Sequence, residues 1–186
     1  DRITCLNNTV DVDRLVSWRA SLQREEIIQR SASLGFKGQH AGVFIGSLSQ
    51  EKRLGFLFAA ADELRSRISD FELLLVGDGP LRCQVEDFVC NRPWAVWVGS
   101  KRDREKMAHL AIGQLVLNPG MVGLGILDAF AAGTPLVTTD CGIHSPEIEY
   151  LQSGINGIMT SNCLEEYVCA VEQLLKNDLQ REEMGR

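Results

Sequence analysis

Apolar positions along the chain follow two rhythms in turn. Largely apolar runs at residues 41–45, 71–76, 94–98, 115–117 and 136–139 read as strands, since a strand covered on both faces shows no consistently polar side. Between them apolar residues recur three and four apart. Leu57, Phe58, Ala61, Leu64 and Ile68 predict a helix over 54–68, and Leu81, Val85 and Phe88 predict another after the turn Gly77-Asp78-Gly79-Pro80. A short charged helix is expected over 102–111 and a small-residue helix over 126–132, the latter stopped by Gly133 and Pro135. Upstream, an apolar run opens the chain, and Asp11 can cap one helix carrying Leu15, Trp18, Leu22, Ile27 and Ile28. A loop through Gly35, Gly38 and His40 follows, with His40 expected at its exposed edge. Beyond residue 139 come an irregular Gly/His/Pro segment, a short strand near 155–159 and a helix over about 164–175. The charged end, 178–186, is expected to be frayed or docked. Strands alternating with helices at this spacing predict one α/β domain, a Rossmann-like parallel sheet with helices on both faces.

The stretch from 115 to 140 adds chemistry. A strand feeds a helix through Gly120, Gly123 and Gly125, and free backbone N–H groups there, with the positive end of the helix dipole, suit an anion. The alternative is that the glycines only let helix and strand pack closely. A formal charge of −6 argues against nonspecific nucleic-acid binding, which needs a basic surface, so an anionic ligand must be held by local positive potential. No apolar run approaches the ~18–20 residues that span a bilayer. The six cysteines show neither zinc spacing nor a disulfide frame: Cys83 and Cys90, seven apart on one helix, are separated by ~10 Å along its axis. Reduced, buried thiols in a cytoplasmic protein are expected.

Five blocks fall in a recognisable order. They are Ile45-Gly46-Ser47-Leu48 with Glu51-Lys52-Arg53-Leu54; Leu75-Val76-Gly77-Asp78-Gly79-Pro80; Val96-Trp97-Val98-Gly99; Pro119…Gly123-Leu124…Asp128-Ala129-Phe130-Ala131-Ala132-Gly133-Thr134-Pro135; and Ser145-Pro146-Glu147-Ile148-Glu149-Tyr150-Leu151 with Gly154-Ile155-Asn156-Gly157. The ordered set resembles the C-terminal, donor-binding half of retaining glycosyltransferases of GT-B architecture, the glycosyl transferases group 1. Asn7-Asn8-Thr9-x-Asp11 is similar to the segment that follows that family's interdomain linker. The resemblance implies a nucleotide-sugar-binding Rossmann-like domain over 41–176, an N-terminal strand and helix (1–40) packed on it, and a charged segment (177–186). The implied partners are a nucleotide sugar, a missing N-terminal acceptor domain and a glycan or glycolipid acceptor. No cofactor, metal, nucleic acid or transmembrane segment is implied, and any membrane contact would come through the missing domain.

Open parallel sheets bind ligands beyond the carboxyl ends of their strands, where these blocks also fall. By resemblance, the donor is contacted by Gly46, Ser47, Lys52 and Arg53, by Gly77, Asp78 and Gly79, by Trp97, Val98 and Lys101, and by Gly120, Met121, Val122, Gly123, Leu124 and Asp128. Lys52 is expected on the diphosphate, the amides of Val122, Gly123 and Leu124 in its cradle, Asp128 on the ribose, and the 97–101 region at the base. Lys52, Asp128 and Glu147 are the candidate catalytic groups, Glu147 because it matches a family glutamate close to the donor. Asp78 also reads as a turn residue. Two family positions differ. Ser47 stands where an arginine is usual, which either weakens diphosphate binding or leaves Arg53 as its substitute, and Gly120 stands where the first of two glutamates contacts the donor sugar. The family's histidine lies in the other domain, so His40, His109 and His144 are given no role. A single-domain chain of this kind is expected to bind donor without transferring sugar.

Two other readings stay open. Gly120-x-x-Gly123-x-Gly125 with Asp140, 20 residues beyond Gly120, resembles a dinucleotide-binding turn with its ribose acid. A non-catalytic sugar-nucleotide-binding domain would also tolerate the two departures.

Overall fold

The computed structural model describes residues 8–37 and 39–186; the apolar run expected at the very start, and Gly38 in the first loop, lie outside them. Six parallel strands form one sheet in the order β3-β2-β1-β4-β5-β6. They are β1 His40–Ile45, β2 Phe71–Val76, β3 Ala95–Trp97, β4 Leu115–Leu117, β5 Leu136–Thr139 and β6 Gly157–Thr160. This is the doubly wound Rossmann order, with its switch point between β1 and β4. The helices between strands are α3 Leu54–Arg67, α4 Arg82–Cys90, α5 Asp103–Leu110 and α6 Gly125–Ala131. Two more, α1 Val12–Ala20 and α2 Arg24–Ser33, precede the sheet, and α7 Leu164–Lys176 and α8 Asp178–Met184 follow it.

Two apolar layers explain the largely apolar strands. Phe44, Leu73 and Leu75 point into one layer, with Leu57, Leu64, Tyr167 and Val171 from α3 and α7. Val43, Leu74 and Val76 point into the other, with Leu15, Met107, Leu110, Ile126 and Ala129 from α1, α5 and α6. Both faces are therefore dry, and β2 is buried at all six positions.

Four expectations need correction. The single helix after Asp11 is two helices: Asp11 caps α1 by accepting the Arg14 N–H, but the chain breaks at Ser21. There the Ser21 hydroxyl donates to the Trp18 carbonyl at 2.7 Å and Arg104 reaches in to Ser21 and Glu26. Leu22 is buried in the break, while Ile28 is left 57% exposed. His40 is not an exposed loop edge; it opens β1, half-buried, with its Nδ1 2.8 Å from Asp70. Among the described residues the cysteines are free, but none is buried. Cys83, Cys90 and Cys163 are exposed and Cys141 and Cys169 half-buried, because on α4 the inward positions belong to Val85 and Phe88. The fourth correction falls in the site, below. The C-terminal helix is docked: Arg181 donates to the carbonyls of Leu174 and Leu175, and Met184 is buried.

Candidate functional site

At the carboxyl ends of β1 and β2 the backbones touch. A Cβ on Gly77 would lie 1.8 Å from the Gly46 carbonyl, and one on Gly79 would lie 2.7 Å from that of Leu48. Leu48 and Leu81 complete the seam with hydrogen bonds across it, so glycine is required here by close approach. Asp78 accepts its neighbour's Gly79 N–H at 2.8 Å and is exposed, a turn residue. Ser47 is exposed, its hydroxyl 3.4 Å from Ser49. At the end of β3 the Trp97 indole donates to the Gly77 carbonyl at 2.9 Å and the Arg82 guanidinium covers its ring at 4.8 Å. Val98 and Lys101 are half-buried beside it, Lys101 near Glu105 at 3.9 Å.

The loops after β1 and β4 lock together at the switch point. Lys52 ends the 3-10 turn Gln50–Lys52 and is only 7% exposed. Its ammonium donates to the Met121 carbonyl at 2.5 Å, a carbonyl the Asn118 amide also reaches, at 3.3 Å. The Met121 N–H donates in return to the Glu51 carbonyl. Burial pulls the Lys52 pKa below its ordinary value, opposed by the charges of Glu51, Cys141 and Glu147. Gly120 has no room for a side chain: its Cβ would meet the Glu51 carbonyl at 2.3 Å and that of Lys52 at 2.6 Å. The glutamate usual at this position is sterically excluded.

Here the fourth correction applies, and it concerns two expected ligands. Arg53 is no substitute for the missing arginine. It takes a left-handed φ of 53° to start α3, and its guanidinium is spent on the Pro119 carbonyl and the Thr139 hydroxyl, over the Phe56 ring. The Val122 amide is not free for an anion either, because the His144 Nδ1 accepts it at 3.1 Å. That acceptance leaves the proton on Nε2, which faces the Thr139 carbonyl at 2.8 Å, so the neutral ring bridges two loops. Among the described residues, the amides of Gly123, Leu124 and Gly125 have no acceptor; they are what remains of the expected cradle.

Asp128 sits on the first turns of α6, 8% exposed, its carboxylate 2.5 Å from the Lys106 ammonium of α5. It is thus already half of an ion pair. Glu147, on the 3-10 turn Pro146–Tyr150, is not solvated as an acid on a loop would be; it is 6% exposed and accepts from the Asn8 amide at 3.1 Å. Among the described residues no group of acidic, His or Cys side chains could hold a metal ion, and no helix is long and apolar enough to cross a membrane. The glycine turn follows the fourth strand, whereas the dinucleotide fingerprint belongs to the first βα turn. Asp140, its required ribose acid, is exposed.

Lys106, Asn118, His144 and Asn8 were invisible to sequence reasoning as site residues. Each gains its role from a partner, and for Lys106, His144 and Asn8 that partner is 22 to 139 positions away.

The family model for Glycosyl transferases group 1 matches residues 39–177. The alpha-D-kanosaminyltransferase of Streptomyces kanamyceticus is 29% identical in an alignment of 158 residues that covers 77% of this chain and 38% of that enzyme. Among solved structures, Anabaena Alr3699/HepE in complex with UDP and glucose superposes with a TM-score of 0.74 at 18% identity, over 96% of this chain and 48% of that one. The C-terminal domain of a glycosyl transferase group 1 family protein (LpcC) from Francisella tularensis does so with a TM-score of 0.70 at 15% identity, over 95% of this chain and 93% of that one. The chain therefore spans well under half the length of the curated relative.

Proposed function

The chain belongs to the glycosyl transferases group 1 family and has the fold of one Rossmann-like half of the GT-B architecture, and on that premise we propose that it binds the nucleotide-sugar donor for transfer, with retained configuration, to a polysaccharide or glycolipid acceptor. The observation that carries this reading is the switch point, where the Lys52 ammonium is bonded to the Met121 carbonyl, two residues before the unpaired amides of Gly123 to Gly125. A diphosphate there takes over the ammonium from the Met121 carbonyl, which keeps Asn118 as its donor. Fixed donors of this kind stabilise the charge that grows on the departing diphosphate as the anomeric bond breaks. Asp128, its free oxygen opposite Lys106, accepts ribose hydroxyls, and the Trp97–Lys101 region reads the base. The acceptor is held by the other half of the architecture, and the reaction takes place in the cleft between the two, so this chain alone binds without transferring. Alr3699/HepE, similar over nearly the whole chain, holds UDP and glucose, which supports a uridine donor as the first to test.

Titration calorimetry with UDP-, GDP-, ADP- and dTDP-sugars, their diphosphates and NAD tests the proposal. Binding of a sugar nucleotide and its diphosphate, with none of NAD, is the expected outcome. NAD binding without sugar-nucleotide binding would replace it with the dinucleotide reading.

A further inference from the structure

One acid of the site region is held by only half. The Glu147 Oε1 accepts from the Asn8 amide at 3.1 Å, and the Tyr150 hydroxyl donates to the Asn8 carbonyl at 3.1 Å, so the segment entering α1 is strapped to the 3-10 turn. The Glu147 Oε2 is closed to solvent and has no hydrogen-bond partner. A carboxylate oxygen enclosed without a donor is costly, and with no donor from the protein to hand, a ligand is the natural source of one. The turn that carries it is stitched to the anion crevice: the Ser145 N–H donates to the Val122 carbonyl at 3.1 Å, and the neighbouring His144 ring takes the Val122 N–H. The Glu147 charge is also close enough to Lys52 to oppose the effect of its burial. Meanwhile position 120, which would carry a sugar-contacting acid, is sterically closed to any side chain.

We propose that Glu147 accepts a hydroxyl of the donor sugar through Oε2, the contact that Gly120 cannot make, and that Asn8 is its positioning residue, holding Oε1. This rests on the donor reading above. A carboxylate only accepts, so the group it reads is a hydroxyl and not an ether or acetyl oxygen.

The test titrates the chain, Glu147→Gln and Asn8→Ala with UDP, UDP-glucose and UDP-N-acetylglucosamine. Glu147→Gln keeps the shape of the side chain, and far-UV circular dichroism checks that each variant folds. The wild type is expected to bind at least one sugar nucleotide more tightly than UDP. Glu147→Gln should erase that margin, about tenfold or more, while UDP affinity stays within about twofold; Asn8→Ala should narrow it. An equal loss for UDP and the sugar nucleotide, or an unchanged margin, overturns the assignment by making Glu147 a structural strut. A wild type that binds UDP with no margin for any sugar overturns it too and leaves the donor reading standing, whereas a wild type that binds neither overturns both.

Discussion

Lys52→Met separates a binding cation from a structural one. In the free chain Lys52 makes one hydrogen bond, to the Met121 carbonyl, and is 7% exposed. Losing a charged hydrogen bond costs about 1.5–3 kcal/mol, but removing an enclosed, unpaired ammonium relieves a desolvation penalty of similar size. Met121 is not orphaned, since Asn118 stays within 3.3 Å of its carbonyl, and methionine fills most of the lysine volume. The two terms nearly cancel, so folding stability should move by no more than about 1 kcal/mol, a shift of about 2–4 °C in Tm for a chain of this size. Diphosphate binding has no such compensation. It should fall by about 1.5–3 kcal/mol, roughly 10- to 150-fold, while uridine is almost unaffected and the loss shrinks with added salt. Titration calorimetry with UDP and uridine at two salt concentrations, beside thermal unfolding, reads both numbers. The pH profile gives a second check. Burial lowers the Lys52 pKa from 10.5, so the unfolded chain holds the proton more tightly and wild-type stability relative to Lys52→Met should rise as pH climbs from the lowered value toward 10.5. A bound diphosphate pulls the pKa back up, so UDP affinity should fall across the same window. A variant that loses many degrees of Tm yet binds UDP as before would refute the argument and make Lys52 a strut between loops.

Two further outcomes are expected. Gly120→Ala should destabilise by about 1–3 kcal/mol, the range for an overpacked site, because its Cβ meets the backbone carbonyl of Glu51 at 2.3 Å; a Tm equal to wild type in a thermal melt would mean that the β1 and β4 loops part easily. For the Lys106–Asp128 pair, a double-mutant cycle of Lys106→Met and Asp128→Asn should show a coupling of about 0.5–3 kcal/mol in stability, with Asp128→Asn weakening UDP more than it weakens pyrophosphate; zero coupling would show the short contact to be energetically idle.

The fold was legible because its signal is local. A strand dry on both faces must be apolar throughout, as β2 is apart from Glu72, and an amphipathic helix repeats every three to four residues, as α3 does. The predicted edges of most elements from β1 onward came within a residue or two for the same reason. The break between α1 and α2 left only a weak trace, a step of five between Leu22 and Ile27 where the helical spacing is three or four; what fixes it is tertiary, since Arg104, far along the chain, sits at the break and ties Ser21 to Glu26. The site divides in the same way. Gly46, Gly77 and Gly120 stand out in sequence because glycine itself is the signal of close approach. That Arg53 is turned onto Pro119, that His144 occupies the Val122 amide, and that Lys106 grips Asp128 are facts of tertiary pairing with no periodic trace.

These pairings bear on how an acidic chain attracts a diphosphate at all. Of the cations near the crevice, Arg53 is committed to Pro119 and Thr139, Lys106 to Asp128, and Lys101 lies beside Glu105. Lys52 and Arg53 both bond uncharged carbonyls that have a second donor, Asn118 at Met121 and the Thr139 hydroxyl at Pro119, but Lys52 would give up one hydrogen bond where Arg53 would give up two. On the proposed reading, exchange of Lys52 from carbonyl to phosphate therefore breaks a single hydrogen bond and no ion pair. The same exchange loosens the contact that presses the β1 loop onto Met121, next to the turn that carries His144 and, three residues on, Glu147. On the proposed reading, diphosphate and sugar contacts meet on one pair of loops, and tightening of the first frees the segment that would form the second. A donor whose diphosphate is removed should then lose more affinity than the phosphate contacts alone account for, measurable as non-additivity between Lys52→Met and Glu147→Gln in sugar-nucleotide binding. Strict additivity, within about 0.5 kcal/mol, would mean that the two contacts form independently and that the loops do not transmit between them.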